Sequence, residues 1–350
     1  MMASTMENKQ HALTGNALLV AFVVLLGWYF WMSYSGHQAA LRIQEKQLTA
    51  HDDLFAIDGR HDETSAAVGK FGMILLTRDG GKTWKAQPSG TVRALSAISF
   101  ADHEHGYVVG SGGIVLTSSD GGSSWKPQTS GTKDQLLGVH ALNSKQVYTV
   151  GAFGTLLATS DGGVTWRRQE LSWEKLIPNI LKESGLLEPN LNAIQFINEN
   201  LGWIVGEFGL VLQTRDGGET WSAQNYGENL PQLFAVFFRD EQTGWAVGQL
   251  GTLMRTVDGG KHWARVAVET DSNLNGISMD GDRGMIVGDG VVLASDDGGL
   301  NWRKLASARE NLSLTGVAMK SGEAIAVGQA GTIRVLDLGD NVSKKETEAR

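Results

Sequence analysis

The feature that most constrains this chain is a phrase it repeats. "TRDGGKTW" (77–84) returns as "SSDGGSSW" (118–125), "TSDGGVTW" (159–166), "TRDGGETW" (214–221), "TVDGGKHW" (256–263) and "SDDGGLNW" (295–302). Aligned on the acid, the copies fall at Asp79, Asp120, Asp161, Asp216, Asp258 and Asp297, separated by 41, 41, 55, 42 and 39 residues. A short apolar strand precedes each copy, beginning at Leu54, Leu95, Leu136, Leu191, Leu233, Leu274 and Leu314, so this part of the unit occurs seven times. A second strand then ends in Val-Gly, at Gly69, Gly110, Gly151, Gly206, Gly248, Gly288 and Gly328. A third strand such as "GTLLAT" leads into the acidic turn, and a fourth opens at the tryptophan. Four short strands in about 40 residues make a propeller blade. The predicted fold is all-β: a seven-bladed β-propeller.

The phrase itself reads as a turn. Its paired glycines supply the positive φ of a tight connection between the third and fourth strands. The carboxylate accepts hydrogen bonds from turn amides, and the Ser or Thr two residues earlier adds a second local partner. Trp84, Trp125, Trp166, Trp221, Trp263 and Trp302 each bury a large ring against the blade. Six equivalent acids around a ring do not converge on one active site. One carboxylate per loop is also too few for calcium, which takes six or more oxygens. The expectation is a structural device, with no catalytic residue, metal or cofactor. The cluster "DHEH" (102–105) sits where other units carry "INEN", "RDEQ" or "DGDR", so it too reads as a polar turn and not as a metal site.

The last unit lacks the acidic turn and the tryptophan strand. An open ring would expose unpaired edges, so Leu41–Gln47, "LRIQEKQ", or a neighbouring segment ahead of Leu54, is expected to supply the missing outer strand. Further upstream, "ALLVAFVVLLGWYFWMSY" (17–34) lies in a stretch without charge between Lys9 and Arg42. Its length suits a membrane crossing of about 20 residues, and Trp28, Tyr29, Trp31 and Tyr34 crowd one end as aromatics do at an interface. A cleaved signal peptide is the competing reading, because Ser33-x-Ser35 precedes Gly36, but the apolar run exceeds the usual core of about 7–15 residues. The expected organisation is an N-terminal segment with a transmembrane signal anchor (1–36), a linker with the possible closing strand (37–50), the propeller (51–338) with a helical insertion near 171–190, and a flexible tail (339–350). The propeller is expected outside the cytoplasm, on the periplasmic side of a bacterial inner membrane.

Composition removes several function classes. The 350 residues carry a net charge of -8 with basic residues scattered singly, so no basic stripe exists to neutralise a phosphate backbone. There is no cysteine, which excludes disulfides, thiol catalysis, cysteine-ligated zinc and lipidation on cysteine.

Partner-binding candidates lie away from the acidic turns. The Val-Gly hairpin tips share the opposite face with the inter-blade connections, and four of them carry large apolar residues: Phe71, Phe153, Phe208 and Leu250. These either tuck between blades as packing or form an exposed apolar arc that marks an interface. The 55-residue spacing, 14 above the period, places an insertion on the same face. In it Trp173, Leu176, Ile177, Ile180 and Leu181 form one helical stripe, broken at Pro178. This stripe either packs on its own propeller or adds to a partner surface.

The Ser/Thr-x-Asp-Gly-Gly-x-x-Trp phrase resembles the Asp-box, or bacterial neuraminidase repeat. The fuller unit, nearly continuous in "NLGWIVGEFGLVLQTRDGGETW" (200–221), resembles the photosystem II stability/assembly factor family over roughly residues 50–335. That resemblance implies a non-enzymatic, seven-bladed propeller held at a membrane that helps membrane proteins assemble. Photosynthetic members bind their client through an arginine-rich face. This chain is acidic, lacks a lipidatable cysteine and keeps an apolar N-terminal run, which resembles a non-photosynthetic, membrane-anchored bacterial branch found alongside exporters of the resistance-nodulation-division (RND) superfamily. The partner implied is an integral membrane protein or envelope complex, with such a transporter as candidate. The alternative is a glycan-binding or sialidase-like propeller. A sialidase needs three converging arginines and a tyrosine nucleophile. Of Tyr107, Tyr148 and Tyr226, the first two occupy core strand positions.

Overall fold

The computed structural model describes residues 52–59, 63–177, 188–224, 231–305, 312–320 and 322–337. The apolar run 17–34, the expected closing segment 41–47, Tyr226, Ile180, Leu181 and the tail 339–350 lie outside these. Among the described residues no helix is long and apolar enough to cross a membrane.

Seven antiparallel sheets follow one another along the chain, each with its strands in sequence order. Blade one comprises Leu54–Gly59, Ser65–Gly69, Ile74–Thr77 and Lys85–Ala86; blade two Leu95–Phe100, Gly106–Gly110, Ile114–Ser118 and Lys126–Thr129. Blade three is built from Leu136–Ala141, Val147–Gly151, Leu156–Thr159 and Arg167–Arg168; blade four from Leu191–Phe196, Gly202–Gly206, Val211–Thr214 and Ser222–Ala223. Blade five has Leu233–Phe238, Gly244–Gly248, Leu253–Thr256 and Ala264–Arg265; blade six Leu274–Asp280, Arg283–Gly288, Val292–Ser295 and Arg303–Lys304. Blade seven shows Leu314–Lys320, Glu323–Gly328 and Ile333–Asp337, with no fourth strand among the described residues. The seven-bladed propeller expected from the repeat is therefore the fold.

Why the second strands read as near-continuous apolar runs is clear from their surroundings. Neighbouring blades cover both faces of each sheet, so "GWIVG" and "GWAVG" are buried at all five positions, as strands packed on both sides must be. The fourth strands, by contrast, face solvent at the rim. The glycine that closes each second strand has a steric cause. A Cβ on Gly69 would lie 2.1 Å from the Asp53 carbonyl oxygen, and one on Gly248 would lie 2.0 Å from that of Gln232. The hairpin tip thus presses onto the chain entering its own blade.

The core is divided into seven clusters, one at each seam between blades. Ala66, Val68, Ile74 and Leu76 of blade one meet Leu95, Ile98, Val108 and Leu116 of blade two around Trp125. Trp166, Trp221, Trp263 and Trp302 occupy the corresponding places at the next four such seams that carry an acidic turn. Trp84 does the same between blades seven and one. Each tryptophan therefore joins its own blade to the preceding one, a cross-blade role that the repeat pattern did not disclose.

Polar latches add to this packing at the inner strands. The Phe100 amide donates to Asp58 Oδ2 at 2.7 Å, the Ala141 amide to Ser99 Oγ at 3.1 Å, the Phe238 amide to Gln195 Oε1 at 2.6 Å, and the Met319 amide to Ser278 Oγ at 3.0 Å. All four acceptors stand at the fifth residue of their inner strand. The ring closes where Thr315 Oγ1 donates to the Leu54 carbonyl at 2.7 Å and the Ala330 amide donates to Asp53 Oδ1 at 2.9 Å.

Candidate functional site

The acidic turns are fully engaged in holding themselves together. In the first, the Thr77 hydroxyl donates to Asp79 Oδ1 at 2.7 Å and accepts the Gly81 amide at 3.0 Å. The Thr83 hydroxyl and amide donate to the same carboxylate at 2.6 and 2.9 Å. Gly80 and Gly81 sit at φ 70° and 87°, a pair of left-handed positions that side chains resist. The Trp84 indole N–H then donates to the Gly81 carbonyl at 3.1 Å, so the ring is fastened to the turn it follows. The residue four places after each acid repeats the role of Thr83, as Ser124, Thr165, Thr220, His262 and Asn301.

These bonds fix the acid–base character of the turns. The Thr83 hydroxyl, followed by its amide, holds the Asp79 carboxyl at about 2, and Thr165 does the same for Asp161. At Asp258 and Asp297 the amides of His262 and Asn301 lead, again to about 2. A proton-transfer group works best with a pKa near the working pH. Four of these carboxylates are far below it, as structural acceptors should be.

Other residues considered for chemistry are likewise committed. Tyr107 and Tyr148 are buried, and their hydroxyls donate to the carbonyls of Ser144 and Gly217 on the following blade at 2.7 and 2.9 Å. Trp203 and Trp245 take the same place in blades four and five and reach the carbonyls of Gly259 and Gly299. In "DHEH", Asp102 accepts the amides of Glu104 and His105 and the His105 ring, which makes the cluster a closed turn.

The opposite face differs in character. At the hairpin tips Phe71 is 59% exposed, Phe153 63%, Phe208 44% and Leu250 63%. All four adopt left-handed backbone, at φ 56°, 54°, 57° and 54°. Blades two and six carry glycine at the same tip position, Gly112 at φ 67° and Gly290 at φ 66°. Left-handed backbone costs a non-glycine residue about 1–2 kcal/mol, and solvent exposure of an aromatic ring returns little. Large apolar side chains therefore stand at places where glycine would satisfy the fold. Phe153, Phe208 and Leu250 occupy three consecutive blades. None of the four is buried between blades.

The insertion turns the other way. Only Trp173–Leu176 forms a helical turn among the described residues. Leu176 and Ile177 are each 5% exposed, and Leu176 joins the cluster between blades three and four with Trp173 packed beside it. The Trp173 ring lies against Gly154, where an added Cβ would come within 2.4 Å of it. For Leu176 and Ile177 the expected partner role is corrected by their burial, Leu176 packing into its own propeller, while Trp173 is half-buried beside it and lies at the base of the Phe153 tip. Ile180 and Leu181 lie outside the described residues.

Fold and turn geometry together define an Asp-box propeller in which the boxes are fasteners. The family model described as photosynthesis system II assembly factor YCF48 matches residues 37–127, 89–179 and 228–319. The chain belongs to this family. No curated protein sequence matches it. Among solved structures, "YCF48 bound to D1 peptide" superposes with a TM-score of 0.67 at 17% identity, covering 84% of this chain and 94% of that one. YCF48 from Cyanidioschyzon merolae gives 0.65 at 20% identity, covering 83% and 98%. A GH74 enzyme from Niastella koreensis gives 0.64 at 13% identity, but the match spans 83% of this chain and 53% of the enzyme. At these identities the likenesses establish the fold.

Proposed function

We propose that this propeller is a non-enzymatic interaction scaffold that assists a membrane complex, docking a segment of an integral membrane protein or envelope complex on its hairpin-tip face. The observation that carries the reading is the arc of Phe153, Phe208 and Leu250, exposed and held in left-handed backbone on three consecutive blades. Strained residues that the fold does not require point to function, and contiguous exposed apolar side chains mark interfaces. Membership in an assembly-factor family supports the same role. A structural relative solved with a bound peptide supports a partner that contributes an extended segment.

The apolar run 17–34 anchors the chain in a bacterial inner membrane in this proposal, with the propeller on the periplasmic side and an RND-superfamily exporter as the candidate partner. The test is affinity capture of the full chain from detergent-solubilised membranes, comparing the parent with Phe153→Ser/Phe208→Ser. One integral membrane protein enriched with the parent and lost with the variant is the expected result, and its identity decides the exporter candidate. Equal enrichment with both would remove the tip face from the account, and retention on glycan columns without any protein partner would favour the carbohydrate-directed alternative.

A further inference from the structure

Every residue of the apolar arc has a carboxylate beside it. Glu188 adjoins Pro189, whose carbonyl accepts the Gly154 amide at the Phe153 tip at 3.0 Å. Glu207 directly precedes Phe208. Asp271 lies against the Leu250 tip, its Cα 3.5 Å from the place a Cβ on Gly251 would take. Glu269, in the connection that leaves blade five, and Asp289, at the tip of blade six, extend the row. Among the described residues from Glu188 to Ser313, the hairpin tips and inter-blade connections contain no lysine or arginine. The parts of these connections outside the described residues add Glu228, Arg309 and Glu310 to the sequence, so the balance stays negative. The bases of the same blades stand on the other face, with Arg215 and Lys261 in acidic turns and Arg239 and Arg283 at the turns between first and second strands, or on the outer strands.

Two of the five acids have work within the fold. Glu207 accepts the Asn190 amide and side-chain N–H, both at 2.9 Å, and Asn190 Oδ1 accepts the Phe153 amide at 3.1 Å. Asp289 accepts the Asn273 side-chain N–H at 2.9 Å, and Asn273 Oδ1 accepts the Leu250 amide at 3.3 Å. Glu188, Glu269 and Asp271 are exposed and make no hydrogen bond or ion pair among the described residues. The fold leaves these three unengaged. They do not gather around a metal, since among the described residues no three carboxylates or histidines lie close enough to hold an ion. Phe71, outside the arc, shows the contrast: Lys70 precedes it and is paired with Asp53.

Unpaired carboxylates spread around exposed apolar side chains attract a cationic partner and repel an anionic one. Resting on the docking role proposed above, we propose that the segment taken by the tip face is basic: its apolar side chains cover Phe153, Phe208 and Leu250, and flanking lysines or arginines meet Glu188, Glu269 and Asp271. Charges at the rim of an interface set selectivity and on-rate more than affinity. The apolar contact holds the segment, and the acids choose it.

The test uses two fluorescein-labelled peptides, Lys-Lys-Leu-Phe-Leu-Lys-Lys and Glu-Glu-Leu-Phe-Leu-Glu-Glu, titrated by anisotropy against the full chain in non-ionic detergent. The parent is expected to bind the lysine probe about tenfold more tightly at low salt, with the preference vanishing near about 1 M salt, where the screening length is about 3 Å. Glu269→Lys/Asp271→Lys, at exposed and unengaged sites, should cancel or invert the preference without moving the melt. Phe153→Ser/Phe208→Ser should weaken both probes alike. Equal binding of the two probes by the parent, lost in the serine variant, would overturn the basic assignment and leave the docking face standing. A lysine preference that survives the serine substitutions undiminished would remove the docking face, and this inference with it. No binding of the lysine probe by the parent up to about 1 mM, or a preference unmoved by the charge reversal, would also overturn it.

Discussion

Replacing Phe153, Phe208 and Leu250 together by glycine separates the two roles that an apolar tip can have. At each site the change relieves left-handed strain of about 1–2 kcal/mol and adds an unfolded-state entropy penalty of about 0.5–1 kcal/mol. The side chains are 63%, 44% and 63% exposed, so each loses a third to a half of its contact area, about 0.5–1.5 kcal/mol of burial. These contributions nearly cancel, and the triple variant should lie within about 2 kcal/mol of the parent. At about 2–4 °C per kcal/mol, its melting temperature should move by less than about 8 °C. Were the tips packing elements, three large-to-small changes at about 2–5 kcal/mol each would unfold the domain. Calorimetry of the variant, followed by capture from membranes, reads both quantities. A near-parental melt with loss of the partner is the predicted outcome. Collapse of the melt would refute the reading of the tips, and a near-parental melt with undiminished capture would refute their role in docking.

The fasteners make separate predictions. Trp203 is fully buried and stacked on Phe238 at 3.4 Å between ring centroids, so Trp203→Ala should lower stability by about 3–5 kcal/mol in urea denaturation, with Trp203→Phe costing less than half as much. Gln195→Leu strips partners from both the amide and the carbonyl of Phe238, bonded at 2.6 and 3.1 Å, and should cost about 1–3 kcal/mol by the same assay. The carboxyls of Asp79, Asp161, Asp258 and Asp297 fall from 3.8 to about 2 on folding. Their contribution is therefore present in full above 3.8 and is lost as pH falls from there through about 2. Denaturation midpoints measured down that window should drop more steeply for the parent than for Asp79→Asn/Asp161→Asn.

Much of the fold was legible because its signals are local. The phase of the repeat, the glycine pairs at positive φ and the acid that caps each turn all lie within eight consecutive residues, and the count of seven blades follows from the leucine strands and Val-Gly ends that recur once more than the phrase. One local signal went unread: Thr83, Ser124, Thr165, Thr220, His262 and Asn301 all carry a donor at one offset from the acid. What the sequence concealed is contact across seams. Nothing near Trp125 says that its ring meets blade one, and Asp58 finds the Phe100 amide across 42 residues. A polar residue at the fifth place of an apolar strand was the available hint for these latches. The insertion illustrates a further limit. Helical periodicity showed that Trp173, Leu176 and Ile177 share a face, but the same stripe serves a partner or its own domain equally well. The structure buries Leu176 and Ile177 and sets the Trp173 ring against Gly154, contacts that no periodicity announces.

In the proposed scaffold the hairpin-tip face, and not the face of the acidic turns, meets the partner. Both faces offer exposed apolar probes, Phe153 and Phe208 on one, Val164 at 74% and Val257 at 60% exposure on the other. Site-specific photocross-linking with benzoylphenylalanine at these four positions, in intact membranes, compares them directly. Phe153 and Phe208 are expected to capture the same integral membrane protein, and Val164 and Val257 are not. Capture of that protein from the acidic-turn face, with silence at the tips, would contradict the proposed docking face.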